Sequence, residues 1–285
     1  FASIPFVFSE LQLSFTDAFF EAMSGITTTG STVITGLDTV PPGILLWRAL
    51  LQWLGGIGII VMAIAVFPML RVGGMQLFRM ESSDPSEKAL PRAAEIASTI
   101  GLIYLGLTFL CAIAYWLAGM SGFDAIAHSM TTIATGGFST TDGSIGNFES
   151  WSIDLIATIG MIVGSLPFIL YLKTLQGSYG ALWQDSQVQW FISIVVITVL
   201  AITARLWLSS GLEPTQALRY AAFNVVSIIT GTGYATSDYS QWGSFAVPVF
   251  FFIMFIGGCA GSTTCGIKIF RFQVLYAAAR TQLHQ

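Results

Sequence analysis

The residues that could do chemistry in this sequence lie in short stretches rich in glycine and threonine. The first, GITTTGST at 25–32, lacks one residue of the phosphate-binding pattern G-x-x-x-x-G-K-[ST], because Ser31 replaces the lysine. A phosphate loop also follows a strand, whereas here a predicted helix at 16–29 precedes the loop, so the negative end of its dipole faces Gly30. That polarity favours a cation. Glycine and small hydroxyl residues let backbone carbonyls turn inward and replace a hydration shell.

The same pattern occurs three times without gaps, anchored on Gly30, Gly137 and Gly233, and we call these stretches the first, second and third glycine loops. Alanine stands twelve residues before each anchor, a hydroxyl residue six before, and isoleucine four before: Ala18, Ala125, Ala221; Ser24, Thr131, Ser227; Ile26, Ile133, Ile229. The candidate ion-binding residues are Thr28, Thr29, Gly30, Thr135, Gly136, Gly137, Gly231, Thr232 and Gly233. An internal repeat of this kind predicts one structural unit used three times.

The composition indicates the elements that position these loops. Hydrophobic residues make up 54% of the chain and charged residues only 9%, against about 25% charged in soluble domains, so a membrane protein is predicted. Apolar stretches predict spanning helices near 44–70, 96–120, 153–172, 188–208 and 244–270. Segments 16–29, 123–135 and 214–230 are too short to cross about 30 Å of hydrocarbon and should enter the membrane and turn back.

The basic residues predict the orientation of these elements. They concentrate at 71–92, 173–187 and the C-terminal end, which the positive-inside rule places in the cytoplasm, whereas the outer side has only Arg48, Arg205 and Arg219. The outer carboxylates are Glu10, Asp17, Glu21, Asp38, Asp124, Asp142, Glu149, Asp154, Glu213 and Asp238. Together they would concentrate cations at an outer mouth; the alternative is that each is an ordinary solvated loop charge.

The expected fold is an all-α membrane protein of repeated helix, half-helix, glycine loop and helix units around a pseudo-fourfold pore. We expect a first pore repeat at 1–70 with most of its outer helix missing, a second at 93–172 and a third at 188–272. Cytoplasmic linkers would lie at 71–92 and 173–187, and a cytoplasmic end at 273–285. A fourth repeat is absent from this chain and would follow Gln285 in the complete protein.

The third repeat should contain a broken inner helix. Gly257, Gly258, Gly261, Ser262, Thr263, Thr264 and Gly266 fall within ten residues, and each glycine costs a helix about 1 kcal/mol relative to alanine. We call 257–266 the glycine-rich break. A broken helix below the loops is a candidate gate, with the residues Gly257, Gly258, Cys259, Ala260, Gly261, Ser262 and Thr263. Lys268 and Arg271 follow it, either as interfacial anchors or as parts of the gate.

The stretches TTTGST, TGGFSTTD, TGTGYATSD and FIGGCAGSTTCGIKIFR resemble the Trk/Ktr/HKT superfamily of potassium transporters, and within it the bacterial TrkH proteins. The resemblance covers nearly the whole chain. It implies a potassium filter at the three anchors, an intramembrane gating loop at the break, a homodimer and a cytosolic nucleotide-binding partner like TrkA. One departure concerns the family pattern C-A-G-S-T-G-G-G, where this chain has Thr264 and Cys265 in place of two glycines.

The sequence therefore predicts potassium uptake in a bacterial inner membrane by a multi-pass protein surrounded by lipid. No covalent cofactor, nucleic-acid partner or catalysis is expected, and potassium is the transported ligand. The alternatives are a broken-helix secondary transporter for another small solute, a less selective sodium and potassium pathway, and a membrane enzyme. For the last, His128 and Ser129 are adjacent on a predicted helix and do not face each other, so a polar contact supporting the half-helix is favoured.

Overall fold

The computed structural model describes residues 1–61 and 89–283. The helices in this part are α1 Ile4–Val7, α2 Phe15–Ile26, α3 Pro42–Val61, α4 Ala89–Leu117, α5 Gly122–Ile133, α6 Trp151–Gly164, α7 Phe168–Leu175, α8 Ala181–Gln184, α9 Ser186–Ser210, α10 Pro214–Ile229, α11 Ala246–Ile253 and α12 Ile269–Leu283. Short 3-10 turns occur at Leu37–Thr39, Ser144–Phe148 and Tyr239–Gln241. Over the described residues the only β pairing is an isolated bridge between Ile256 and Ile267, so the predicted all-α fold is confirmed.

The three half-helices form where the sequence predicts them. They are α2, α5 and α10, with 12, 12 and 16 residues. At 1.5 Å per residue they measure roughly 18–24 Å, short of a membrane crossing. The side chains of Ser14 and Ser121 accept hydrogen bonds from the N–H groups of Asp17 and Asp124, each 3.1 Å long, and Pro214 opens α10. These are ordinary helix-start signals, and they fix where each half-helix begins.

Two described helices are long and apolar enough to cross a membrane, over Glu95–Leu117 and Ser186–Ser209. The segment predicted to span at 153–172 is not one continuous helix, because α6 and α7 meet at an angle of 90°; together the two are long and apolar enough for one broken span. Pro167 explains the bend, since it has no N–H to donate and disfavours helical geometry in the residue before it. The predicted span at 44–70 begins with α3; its last third, 62–70, and residues 71–88 of the predicted linker lie outside the described residues.

The predicted break of the third inner helix is confirmed, and the helix already ends four residues before Gly257. Helix α11 ends at Ile253, α12 begins at Ile269, and the glycine-rich break lies between them. The break docks into the bend between α6 and α7: the N–H groups of Cys259 and Thr263 donate to the carbonyls of Ser165 and Gly164, at 3.0 and 3.2 Å. In return, the N–H of Phe168 donates to the Gly261 carbonyl at 3.0 Å. The two interrupted helices thus satisfy each other's backbone groups, which non-helical chain at membrane depth requires.

Glycines let the helices pack closely around the half-helices. A Cβ on Gly55 would overlap the carbonyl of Ile26, one on Gly56 would lie 2.8 Å from the Tyr104 hydroxyl oxygen, and one on Gly160 would lie 2.6 Å from the Thr132 methyl. Gly164 likewise faces the Ile133 carbonyl. Close packing of helices is therefore shown at these four glycines, whereas a Cβ on Gly58 would meet no described atom within 4 Å.

Candidate functional site

Each half-helix ends in the same hydrogen-bond pattern. In the first, the N–H of Thr28 donates to the Gly25 carbonyl and the N–H of Thr29 to the Ser24 carbonyl, at 3.0 and 2.9 Å. The matching bonds in the others join Thr135 to Thr132, Gly136 to Thr131, Gly231 to Ile228 and Thr232 to Ser227. This is the Schellman motif, in which two N–H groups turn back to satisfy the last carbonyls of a helix. The hydroxyl residue six before each anchor is therefore also the residue whose carbonyl accepts the motif's hydrogen bond from five residues later.

The backbone of the loops is left-handed at the two positions where the motif and the anchor require it. Thr28, Thr135 and Gly231 have φ of 56°, 50° and 71°. The anchors Gly30, Gly137 and Gly233 have φ of 80°, 83° and 82°. A branched residue such as threonine avoids this region at a cost on the order of 1–3 kcal/mol, and strain of that kind is concentrated at functional sites. The loops are thus held in this shape at the expense of local stability.

The three loops converge. A Cβ on Gly30 would overlap the carbonyl oxygen of Gly136, and one on Gly137 would overlap the carbonyl oxygen of Thr232. Each of these two anchors therefore lies directly against the next loop in the sequence. A Cβ on Gly233 meets nothing within 4 Å in the described structure, so the third loop is open on the corresponding side.

Where the loops converge, they offer backbone oxygen atoms as ligands. Because the Schellman N–H groups point back into the half-helices, they are not available to a ligand at the loops. In the described part of the chain, the carbonyls of the following loop residues accept no hydrogen bond: Thr28, Thr29, Gly30, Thr135, Gly137, Thr232 and Gly233. No group of three His, Cys, Asp or Glu side chains that could hold a metal occurs among the described residues. The loops therefore offer unpaired backbone carbonyl oxygens beside the C-terminal ends of three half-helices, which carry the negative ends of the helix dipoles.

Side chains of the half-helices hold the first and third loops. Ser24 Oγ donates to the Ser31 carbonyl at 2.5 Å, and Ser227 Oγ donates to the Tyr234 carbonyl at 2.6 Å. Asn224 of α10 likewise donates to Thr236 Oγ1 at 2.9 Å. His128 Nε2 lies 3.0 Å from Ser139 Oγ, which agrees with the predicted supporting role of this histidine.

Two side chains of α3 hold the second loop, and the sequence analysis missed their role. Gln52 Nε2 donates to the Gly136 carbonyl at 2.6 Å, and Gln52 Oε1 accepts from the Phe138 N–H at 3.0 Å. One helical turn earlier, Arg48 Nη1 donates to the Ser139 carbonyl at 3.0 Å. The only signal in the sequence was a pair of polar residues four apart in an apolar span, which places both on one face.

The outer carboxylates do not all lie at a mouth. Glu21 and Arg48 form a buried ion pair with a 2.8 Å contact and exposures of 0% and 1%, and Asp154 pairs with Arg219 at 2.7 Å. The interpretation of Glu21 and Asp154 as mouth or solvated charges is therefore wrong, since both are buried and neutralised. Asp238 does remain exposed, and hydrogen bonds from Ser240 and Gln241 lower the pKa of its carboxyl group.

The glycine-rich break contacts the second and third loops. Thr263 Oγ1 donates to the carbonyls of Gly164 and Ile133, at 2.9 and 3.1 Å, and lies 3.0 Å from Thr135 Oγ1. Cys265 Sγ lies 3.9 Å from the Gly231 carbonyl oxygen.

Gly257, Gly258, Cys259, Ser262 and Thr263 are buried, and Ala260 and Gly261 are partly exposed. The Ala260 N–H donates to Gln187 Oε1 at 3.0 Å, and Ser262 Oγ donates to the Cys259 carbonyl at 2.7 Å. The candidate gate is therefore a well-bonded segment.

Of the two cations after the break, only one contacts it. Lys268 Nζ donates to the Thr264 carbonyl and to Thr264 Oγ1, and lies 3.5 Å from Ser262 Oγ. Arg271 is exposed on α12. The structure thus separates two residues that the sequence treated alike.

Comparison with known proteins agrees with this geometry. The TrkH family, described as a cation transport protein, matches residues 2–285. The Trk system potassium uptake protein TrkI of Halomonas elongata is 49% identical over 99% of this chain, and TrkH of Escherichia coli K12 is 45% identical over 99%.

A crystal structure of the potassium transporter TrkH from Vibrio parahaemolyticus matches 99% of this chain with a TM-score of 0.89 and 40% identity. The chain spans only 58% of that protein and 58–59% of the two curated relatives. The match extends over the half-helices, the loops and the break alike. This chain therefore belongs to the TrkH family of cation transport proteins, which are membrane proteins.

Proposed function

We propose that this chain forms most of the ion pathway of a potassium uptake protein, with the three glycine loops as its selectivity filter. The observation that carries the proposal is the repeated Schellman ending, which turns the N–H groups into the half-helices and leaves carbonyl oxygens unpaired where the loops converge. Carbonyl oxygens can replace the hydration shell of a potassium ion, and three helix C-termini add negative potential. Transport of this kind makes and breaks no bond, so the protein is not an enzyme.

The filter residues in this proposal are those that converge: Thr28, Thr29, Gly30, Thr135, Gly136, Gly137, Gly231, Thr232 and Gly233. The third loop has an open side where the first two meet a neighbour, and we propose that a fourth loop of the full-length protein fills it. The break at 257–263 would form the gate below the filter, since it is interrupted backbone held directly against two of the loops.

We also propose that the full-length protein lies in a bacterial inner membrane, forms a homodimer and binds a cytosolic nucleotide-binding subunit like TrkA. The relatives are bacterial and carry names that place them in a Trk system. Light scattering of the purified full-length protein, alone and mixed with such a subunit, tests both associations.

The function is tested by rubidium uptake in cells that lack potassium uptake and express the full-length gene, with potassium or sodium as competitor. The informative variant is Gly233→Asp, and its matched control is Gly211→Asp. Both glycines have left-handed φ, 82° and 65°, and a Cβ on either would meet no described atom within 4 Å, but Gly211 caps α9, whereas Gly233 would face the proposed fourth loop. The two substitutions therefore impose similar backbone strain at different places.

We expect uptake that potassium blocks and sodium does not, abolished by Gly233→Asp and largely kept by Gly211→Asp. Competition by both ions alike would indicate a less selective pathway instead. Equal effects of the two variants would contradict the filter assignment, because strain alone would then explain the loss.

A further inference from the structure

The second glycine loop departs from the other two at two positions: Ala134 stands where they have Thr27 and Thr230, and the residue before the anchor also differs. The residue before the anchor is Thr29 in the first loop and Thr232 in the third, but Gly136 in the second. Backbone geometry does not demand this glycine, since Gly136, unlike its neighbour Gly137, is not left-handed. A neighbouring group must therefore exclude the side chain.

That neighbour is Gln52 of α3. A Cβ on Gly136 would overlap the side-chain amide of Gln52, so the amide occupies the space that threonine takes in the other loops. Gln52 is fully buried, at 0% exposure, and its two hydrogen bonds bracket the anchor by joining the Gly136 carbonyl and the Phe138 N–H. Both ends of the amide are thus committed to the loop backbone on either side of Gly137.

The second loop also needs an external support. In the first and third loops, the hydroxyl six residues before the anchor bonds the carbonyl one residue after it. In the second loop that hydroxyl, Thr131 Oγ1, instead pairs with the hydroxyl of Tyr234 from the third loop and with carbonyls of its own helix. Thr131 therefore does not make the bond that Ser24 and Ser227 make across their own loops. Gln52 instead binds the residue after the anchor, through the N–H of Phe138.

We propose that Gln52 is a positioning residue for ion discrimination, a substitute clamp that sets the backbone geometry of the second loop around Gly137. This inference rests on the proposed filter function. It also assigns a reason to the glycine at 136, which is required by Gln52 and not by the ion or by the backbone. Since a selectivity filter discriminates by the placement of its carbonyls, freeing Gly136 and Phe138 should alter the preference for potassium over sodium.

The test is a double-mutant cycle in the full-length protein, with rubidium uptake and its competition by potassium and sodium as readouts. Gly136→Ala should lower uptake roughly tenfold or more, because overpacking a site this tight is strongly unfavourable. Gln52→Ala should lower the potassium over sodium preference about tenfold, since two buried hydrogen bonds are lost. Combining Gln52→Ala with Gly136→Ala should restore uptake relative to Gly136→Ala, because the new methyl then has room.

The matched control combines Gln52→Ala with Gly137→Ala. Gly137 is left-handed and faces the Thr232 carbonyl, so removing Gln52 gives its substitution no room and uptake should stay low. If Gln52→Ala expresses poorly, Gln52→Met keeps the volume without the hydrogen bonds and should show the same loss of preference.

A Gln52→Ala or Gln52→Met protein with unchanged preference would overturn the inference, as would a double variant no better than Gly136→Ala. These outcomes are distinct from failure of the proposed function, in which the unsubstituted protein itself would show no potassium-sensitive rubidium uptake.

Discussion

The buried pair of Glu21 and Arg48 allows a test of whether an acidic residue of the outer side captures ions or stabilises the fold. Arg48 Nε donates to Glu21 Oε1 at 2.8 Å, and Arg48 also donates to Thr32 Oγ1 and to the Ser139 carbonyl. Its guanidinium lies 4.1 Å from the centre of the Phe138 ring. The pair thus joins α2, α3 and the residues after the first two anchors, and we expect it to act on stability and not on ion capture.

Glu21→Gln keeps the shape of the side chain and removes its charge, so it leaves the buried Arg48 without its paired carboxylate. Breaking a buried pair from one side costs about 3–5 kcal/mol, because the desolvated partner remains. At roughly 2 °C per kcal/mol for a chain of this size, the melting temperature should fall by on the order of 6–10 °C. Adding Arg48→Met should recover part of this loss, since it removes the stranded charge.

One assay is the melting temperature of the detergent-solubilised full-length protein, measured by size-exclusion chromatography after heating. The other is the KM for rubidium in the uptake assay. Asp238→Asn is the control, because Asp238 is exposed and should affect stability little. A Glu21→Gln protein with normal melting temperature and a raised KM would refute the reasoning and return Glu21 to the outer mouth.

Two further predictions concern the break. Thr263→Val removes the hydrogen bonds to the Gly164 and Ile133 carbonyls at nearly constant volume, so basal rubidium uptake should rise severalfold. Thr263→Ser keeps the hydroxyl, and its uptake should stay near normal. Equal uptake by the two variants would show that Thr263 has no part in the proposed gate. Lys268→Met removes the ammonium group that donates to the Thr264 carbonyl and should also raise basal rubidium uptake. Arg271→Met, at an exposed position, is the control in the same assay. Equal uptake by the two variants would identify both residues as interfacial anchors.

The half-helices and loops could be predicted because their signals are local. Capping residues, helix length and glycine anchors repeat in the sequence, and the hydrogen bonds they make join residues three to seven apart. The break was predictable for the same reason, since helix propensity sums over neighbours. The bend at Pro167 was visible in the sequence but was outweighed by hydropathy, which does not register a missing N–H.

The pairing of buried polar residues could not be predicted in this way. Glu21 and Arg48 are 27 residues apart, Asp154 and Arg219 are 65 apart, and Gln52 lies 84 residues from Gly136. When its own segment is considered alone, each of these residues resembles a solvated charge or an isolated polar residue in an apolar helix. Only packing brings the partners together, so counting charges by side of the membrane assigned Glu21 and Asp154 to the wrong environment.

Two of the departures from the repeat have a steric explanation. At Gly136 the missing threonine side chain is replaced by Gln52, and at Gly231, where the first two loops have Thr28 and Thr135, a Cβ would overlap the sulfur of Cys265. A glycine at 265 could not make this second contact, so Cys265, one of the two residues that depart from the superfamily pattern, fills space against the third loop. Because Cys265 belongs to the break and Thr263 of the same segment bonds to Thr135, movement of the break must change the packing of two loops at once. In the proposed function, these contacts would couple the geometry of the filter to the position of the gate.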